Sequence, residues 1–84
     1  MQIVINDMEA TAIRRKKGST VTIVNQGAVD VFIDSDVNRL NASVAGAAPS
    51  GTRLAAAGGQ LQITNYPGVY YARSASQTTL EVQP

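Results

Sequence analysis

Residues 19–34, S-T-V-T-I-V-N-Q-G-A-V-D-V-F-I-D, contain the two clearest strand patterns of the chain. In both halves β-branched residues recur at every second position, which is typical of half-buried strands because successive side chains leave opposite faces of the backbone. We expect a hairpin with its turn at Asn25-Gln26-Gly27, where Gly27 supplies the positive φ of a tight connection. The other segments must cover the apolar face that this hairpin creates.

Shorter alternating runs on both sides of this stretch predict further strands. The run 8–17 also has a helical composition, but its neighbours favour an extended strand that ends at Lys17-Gly18. Asn65-Tyr66-Pro67-Gly68 predicts a type II turn. The remaining strands are predicted at 2–6, 52–56, 60–64, 69–73 and 78–83. The predicted fold is therefore all-β, a small antiparallel β-sandwich or barrel of six to eight short strands in one domain over residues 1–84.

The alternation also predicts which side chains form the core. The inward positions are Ile23, Val31, Ile33, Leu61, Ile63, Leu80 and Val82. Residues 35–51 are small, polar and interrupted by glycine and proline, so we expect a long irregular loop with one short strand or helical turn inside it. A loop of this length in a small domain often makes interactions.

The composition excludes several classes of function. The chain of 84 residues has no cysteine and no histidine, so it lacks disulfides, the usual zinc ligands and a Cys–His catalytic pair. We expect no enzyme activity and no cofactor. The net charge of +1 offers no bulk attraction to nucleic acid or membranes, and no stretch predicts a signal peptide or a membrane span. We expect a protein made in the cytoplasm and stabilised by subunit contacts.

One short acidic pattern resembles a metal-binding loop. Asp34-x-Asp36-x-Asn38 matches the first half of an EF-hand, but Arg39 and Ala45 occupy the positions that need glycine and glutamate. The pattern favours Asx-type turns at the end of a strand. A cation completed by loop carbonyls is the weaker alternative.

The candidate partner-binding residues are mostly cationic or aromatic. The run 14–17 has no aromatic residues within it to stack on bases, so a solvated or protein-facing edge is favoured over nucleic acid. Tyr70 and Tyr71 must face opposite sides of a strand, so one of them is expected outside the core. The full candidate set is Arg14, Arg15, Lys16, Lys17, Arg39, Leu40, Arg53 and one of Tyr70 or Tyr71.

Three stretches after Ser19 combine strand patterns with polar turns. They are V-T-I-V-N-Q-G-A-V-D-V-F-I-D-S-D, G-T-R-L-A-A-A-G-G-Q-L-Q-I and G-V-Y-Y-A-R-S-A-S-Q-T-T-L-E-V. Together they resemble small virion proteins of tailed bacteriophages. The resemblance implies a structural protein of the capsid surface, a decoration or minor capsid protein that binds the major capsid protein. It also implies a homo-oligomer, with a trimer favoured. A tail, neck or fibre protein is the close second.

Two other classes of function stay open. A receptor- or glycan-binding module would use an exposed tyrosine face. A small phage inhibitor of a host protein would be found in infected cells and not in purified particles. Mass spectrometry of purified virions separates the inhibitor from both structural alternatives.

Overall fold

The computed structural model describes residues 2–5, 10–41 and 52–83. Eight strands and one short helix lie within these ranges. The strands are β1 (Gln2–Ile5), β2 (Thr11–Arg14), β3 (Val21–Asn25), β4 (Val31–Asp34), β5 (Thr52–Leu54), β6 (Gln60–Ile63), β7 (Val69–Ser74) and β8 (Thr78–Gln83), and the helix α1 (Val37–Asn41) follows β4. The prediction of an all-β fold with short strands is confirmed.

The strands form two antiparallel sheets of four strands each. Sheet A has the order β1-β8-β3-β6, and sheet B has the order β2-β7-β4-β5. Alternate residues of both sheets point into one shared core, which makes the fold a small sandwich. The core residues are Ile5, Ile13, Val21, Ile23, Val31, Ile33, Leu54, Tyr66, Ala72, Leu80 and Val82.

The predicted hairpin between β3 and β4 is wrong. β3 pairs with β6 and β8 in sheet A, whereas β4 pairs with β5 and β7 in sheet B. Residues 26–30 therefore cross from one sheet to the other and do not close a hairpin. Alternation along a strand determines which side chains face inward, but it carries no information about which strand lies alongside.

Asn25 fastens this crossing. Its side chain is fully buried, and its amide nitrogen donates to the carbonyls of Val29 at 2.8 Å and Leu54 at 3.0 Å. Its side-chain oxygen accepts from the Gly27 amide at 3.0 Å. The backbone of Asn25 completes the set, accepting from the Gly58 amide at 2.8 Å and donating to Gly59 at 2.7 Å. The link 26–30 and the β5–β6 link 55–59 are thus both held by one residue.

Gly27 is required for a different reason from the one predicted. Among the described residues the glycines with positive φ are Gly18, Gly58 and Gly68, and Gly27 is not one of them. A Cβ at position 27 would instead lie 2.8 Å from the Cβ of Thr78 and would overlap its hydroxyl. The glycine therefore allows the link 26–30 to approach the start of β8.

Gly68 does have the positive φ, 102°, that the predicted turn before β7 needs.

Most of the predicted core is confirmed, with two differences on β6. Ile23, Val31 and Ile33 are buried, as are Leu80 and Val82. Leu61 and Ile63 point inward but are only partly buried, since β6 is at an edge of sheet A and pairs with one strand among those that the structure describes. Residues 6–9 and 42–51 lie outside the described residues, and so do parts of the predicted strand 8–17 and of the loop 35–51.

We expect Asn25→Ala to destabilise the protein by roughly 3 kcal/mol or more. The substitution leaves one buried carbonyl, one part-buried carbonyl and one part-buried amide without their partner, and a buried group left unpaired costs about 1–3 kcal/mol. The neighbouring Gln26→Ala serves as the control, because Gln26 is exposed and its loss should stay within about 0.5 kcal/mol. Urea unfolding of both variants measures the difference, and equal midpoints would contradict the role of Asn25.

Ile23 and Ile63 allow a matched test of the edge position of β6. Ile23→Ala should cost about 2–5 kcal/mol because the side chain is fully enclosed. Ile63→Ala should cost less, about 1–2 kcal/mol, because the side chain is already part-exposed at the edge. Chemical unfolding reports both values, and an equal or larger loss at Ile63 would place β6 inside the sheet.

Candidate partner-binding surface

The basic run, Arg14–Lys17, begins at the end of β2 and continues into the link to β3. Arg14, Lys16 and Lys17 are exposed, and Arg15 is half-buried. β2 is an edge strand of sheet B. The basic run therefore projects from one corner of the sandwich, as the partner-facing interpretation requires.

Hydrogen bonds to the segment before β7 shape the link that carries the basic run. The amide of Arg15 donates to the carbonyl of Gly68 at 3.1 Å, and the amide of Gly18 donates to the carbonyl of Tyr66 at 2.7 Å. The amide of Tyr66 donates in return to Ser19 at 2.9 Å. Ser19 also closes the link on itself, because its hydroxyl donates to Lys16 at 2.6 Å. The backbone beneath the four cations is thus tied on both sides.

Tyr66 anchors this arrangement in the core. Its ring is fully buried and packs on the ring of Tyr70 with centroids 5.3 Å apart. Its hydroxyl donates to the carbonyl of Ile13 at 2.6 Å, just before the basic run. Burial raises the pKa of Tyr66 above its ordinary value of 10.0, and the nearby charge of Arg15 acts in the opposite direction. The neutral, hydrogen-bonded tyrosine is therefore the form that the fold stabilises.

The basic run has no ion pair within the part of the chain that the structure describes. Four adjacent cations at one corner repel one another, and solvent and salt screen this repulsion. A partner surface with carboxylates would relieve it. Arg14 is suited to this role because a guanidinium can pair with a carboxylate through two parallel hydrogen bonds.

The structure separates Arg53 from the basic run. Arg53 lies on β5, the opposite edge of sheet B from β2 and three strand spacings, or about 14 Å, away. Its guanidinium already pairs with Asp30 at 3.2 Å, in an ion pair whose two side chains are 64% and 39% exposed. Exposed pairs of this kind contribute little to stability. Arg53 is accessible, but it does not belong to the same cluster as the basic run.

The burial of Leu40 does not favour the partner contact expected from the sequence. Leu40 is fully buried yet lies outside the core between the two sheets. Its helix α1 packs on β4 and β7, and the carbonyl of Leu40 accepts a hydrogen bond at 3.0 Å from Arg73 on the outer face of sheet B. α1 thus covers part of that outer face. The side chain of Arg39, also expected at the interface, is outside the described residues.

The structure resolves which tyrosine faces outward. Tyr70 shares the inner face of β7 with Ala72 and Ser74 and packs against the core. Tyr71 lies on the outer face and is half-buried. The alternation predicted that one of the two tyrosines would lie outside the core. Tyr71 is that residue and is therefore the interface candidate of the pair.

A row of three side chains on the outer face of sheet B contains two residues, Phe32 and Arg73, that are not among the candidates predicted from the sequence. Phe32 on β4 stands in register with Arg53 on one side and Arg73 on the other. The signal was present in the sequence, since Arg73 follows Tyr71 by two residues and must share its face. Arg73 already binds the α1 carbonyl, so the row also holds α1 in place.

The acidic pattern forms turns, as the sequence interpretation favoured. The amide of Asp36 donates to the side chain of Asp34 at 2.9 Å, and the amide of Asn38 donates to the side chain of Asp36 at 2.9 Å. Asp36 directly precedes α1 and so acts as its N-terminal cap. Within residues 2–5, 10–41 and 52–83, no three acidic side chains are grouped as metal ligands would be.

Comparison of the chain with protein-family models, curated proteins and solved structures found no match. Among the described residues, no helix is long and apolar enough to span a membrane.

We expect ionisation of Tyr66 to destabilise the protein above pH 10. A folded pKa above the unfolded value of 10.0 means that the stabilising effect is complete below pH 10 and is lost as the pH rises through the folded pKa. The thermal midpoint of the wild type should therefore fall faster above about pH 10 than that of Tyr66→Phe. Tyr71→Phe is the control and should follow the wild type, because it keeps Tyr66. Parallel pH profiles for all three would contradict this role of Tyr66.

Proposed function

We propose that this protein is a structural subunit of a tailed-phage particle, a decoration protein on the capsid surface that binds the major capsid protein. The observation that carries the binding part of the proposal is the basic run. Three of its four residues are exposed, its backbone is hydrogen-bonded to the fold, and it has no ion pair in the described chain. The particle location is supported by the resemblance of the strand and turn motifs from Ser19 onward to small virion proteins.

The distribution of charge favours one side of the sandwich for this contact. Arg14, Arg53 and Arg73 all lie on strands of sheet B, which contain one acidic residue, Asp34. The strands of sheet A contain a single charged residue, Glu81. An acidic partner surface is therefore attracted to the sheet B side, and this attraction also orients the protein on its partner.

Two of these arginines have internal partners, which concentrates the expected contact on the basic run. Arg53 pairs with Asp30, and Arg73 binds the end of α1. The exposed members of the basic run can reorient towards external carboxylates without breaking an ion pair of the described chain. A lattice of capsid subunits repeats such an acidic surface many times. Selective binding to the assembled lattice stabilises the particle by mass action.

The proposal predicts that binding to undecorated heads depends on the basic run. Replacing Arg14, Arg15, Lys16 and Lys17 together by serine should weaken binding by at least about tenfold and reduce its dependence on salt. The wild type should lose affinity as the salt concentration rises. Co-sedimentation of the protein with purified heads at low and high salt measures both effects.

The control variant is Glu81→Gln, which changes the one charged residue of the sheet A strands and should bind heads like the wild type. Circular dichroism and thermal unfolding establish that the fourfold variant is folded. Unchanged binding and salt dependence of that variant would remove the basic run from the interface. If mass spectrometry finds the protein only in the lysate and never in purified particles, the decoration function is wrong and the inhibitor alternative is favoured.

A further inference from the structure

The edges of the two sheets differ in a way that bears on assembly. Natural sheets usually block their edges with charged residues, proline or bulges, because the free backbone groups of an edge strand can pair with another chain. Both edge strands of sheet B contain an arginine, Arg14 on β2 and Arg53 on β5. The edge strands of sheet A, β1 and β6, both lack charge and proline, and β6 has the sequence Q-L-Q-I. On β1, however, the inward Ile5 is fully buried and the side chain of Gln2 donates to Gln26.

β6 is also incompletely covered on its inner face. Leu61 and Ile63 pack against the core but remain partly exposed, because β3 is the only strand that pairs with β6 in the described chain. None of the four residues of β6 has a further hydrogen bond or ion pair beyond its strand pairing. The strand therefore presents a free backbone edge and two apolar side chains at the same place.

From these observations we propose that β6 pairs with β6 of a second copy of this chain, in antiparallel orientation around a two-fold axis at Gln62. This inference deepens the proposed function, since it names the contact through which copies of the particle subunit associate. In this register Leu61 of each copy stands opposite Ile63 of the other, and Gln62 stands opposite itself. The inner faces stay on one side, so the two sheets A become one continuous eight-stranded sheet.

The sequence of β6 makes a second copy a suitable occupant. The pairing places apolar residues opposite apolar residues on the inner face, which covers the exposed parts of Leu61 and Ile63. On the outer face it places Gln62 opposite its own copy and Gln60 opposite Thr64, so no like charges meet. An acidic or basic partner would find no complementary charge on this strand.

The contact is short, and this determines how it must be measured. A strand of four residues spans only about 13 Å, so the interface falls below the size of a standard stable interface. Self-association should therefore be weak and depend on concentration. A capsid lattice that holds copies close together would raise their effective concentration and strengthen the pairing.

The first test uses the absence of cysteine from the chain. Gln62→Cys introduces a single thiol directly on the proposed two-fold axis, where opposed Cβ atoms lie about 4.5–5.5 Å apart. This separation exceeds the ~3.5–4.5 Å of a relaxed disulfide, so the cross-linker is a short bis-maleimide that bridges the two thiols. Treatment with it should convert most of this variant to a covalent dimer on a denaturing gel. Gln83→Cys, on the same outer face of sheet A but on the interior strand β8, should cross-link several-fold less. Equal cross-linking of the two variants would overturn the proposal.

The second test measures the equilibrium without a covalent bond. Sedimentation of the wild type between about 10 μM and about 1 mM should show a monomer–dimer equilibrium. Gln62→Lys opposes two cations across the axis and should weaken the dimer by at least about tenfold, with partial recovery at high salt. Gln83→Lys should leave the dimer unchanged. A wild type that stays monomeric throughout, or that forms a trimer unaffected by Gln62→Lys, would overturn the proposal.

A comparison variant covers the other edge of sheet A. Gln2→Lys places the same charge on β1. If Gln2→Lys dissociates the dimer and Gln62→Lys does not, the contact lies at β1 and the proposal is wrong.

Binding to undecorated phage heads separates this inference from the proposed function. A monomeric wild type that still binds heads through the basic run leaves that function standing, and a β6 dimer that never binds heads leaves the dimer standing.

Discussion

The fold depends on one buried asparagine at the end of β3. Two links connect the sheets next to Asn25: residues 26–30 lead from sheet A to sheet B, and residues 55–59 lead back. The side chain of Asn25 bonds to the first link and to the end of β5, its backbone bonds to the second link, and each of its donors has a partner. A buried polar group is stabilising only when it is satisfied in this way. The chain has no disulfide to perform this task, and here the hydrogen bonds of Asn25, together with the bond from the Ala57 amide to the Gly27 carbonyl, hold the two crossings together.

The two sheets present different surfaces as a result. Sheet B carries the cationic side chains, the outward tyrosine and the helix α1, and its edges are marked by arginine. Sheet A presents mainly glutamine, threonine and valine on its outer face. A charged surface and a neutral surface on opposite sides of one small domain can serve two kinds of contact, one steered by charge and one formed through backbone pairing. The proposed functions of the two sides follow from this division.

Local patterns in the sequence predicted local structure well. The last strand occupies residues 78–83 as predicted, with Leu80 and Val82 buried. The turn before β7 has its positive φ at Gly68, and the acidic pattern forms the expected Asx turns. The candidate site was predictable only in part: the exposure of Arg14, Lys16 and Lys17 matches the expectation, whereas Leu40 is buried under contacts between α1 and a distant strand. Such contacts join residues far apart in the chain and leave no periodic signal.

What the sequence by itself determined is the face that each side chain occupies and the places where strands end, because both depend on a residue and its nearest neighbours in the chain. Only the tertiary structure decided which strands are adjacent. β3 and β4 follow one another with perfect alternation, yet they lie in different sheets. Likewise, Leu61 and Ile63 have the pattern of core residues but remain part-exposed because β6 lies at an edge. Strand partners and edges are chosen by packing across the whole domain, where buried area and satisfied hydrogen bonds are decided together.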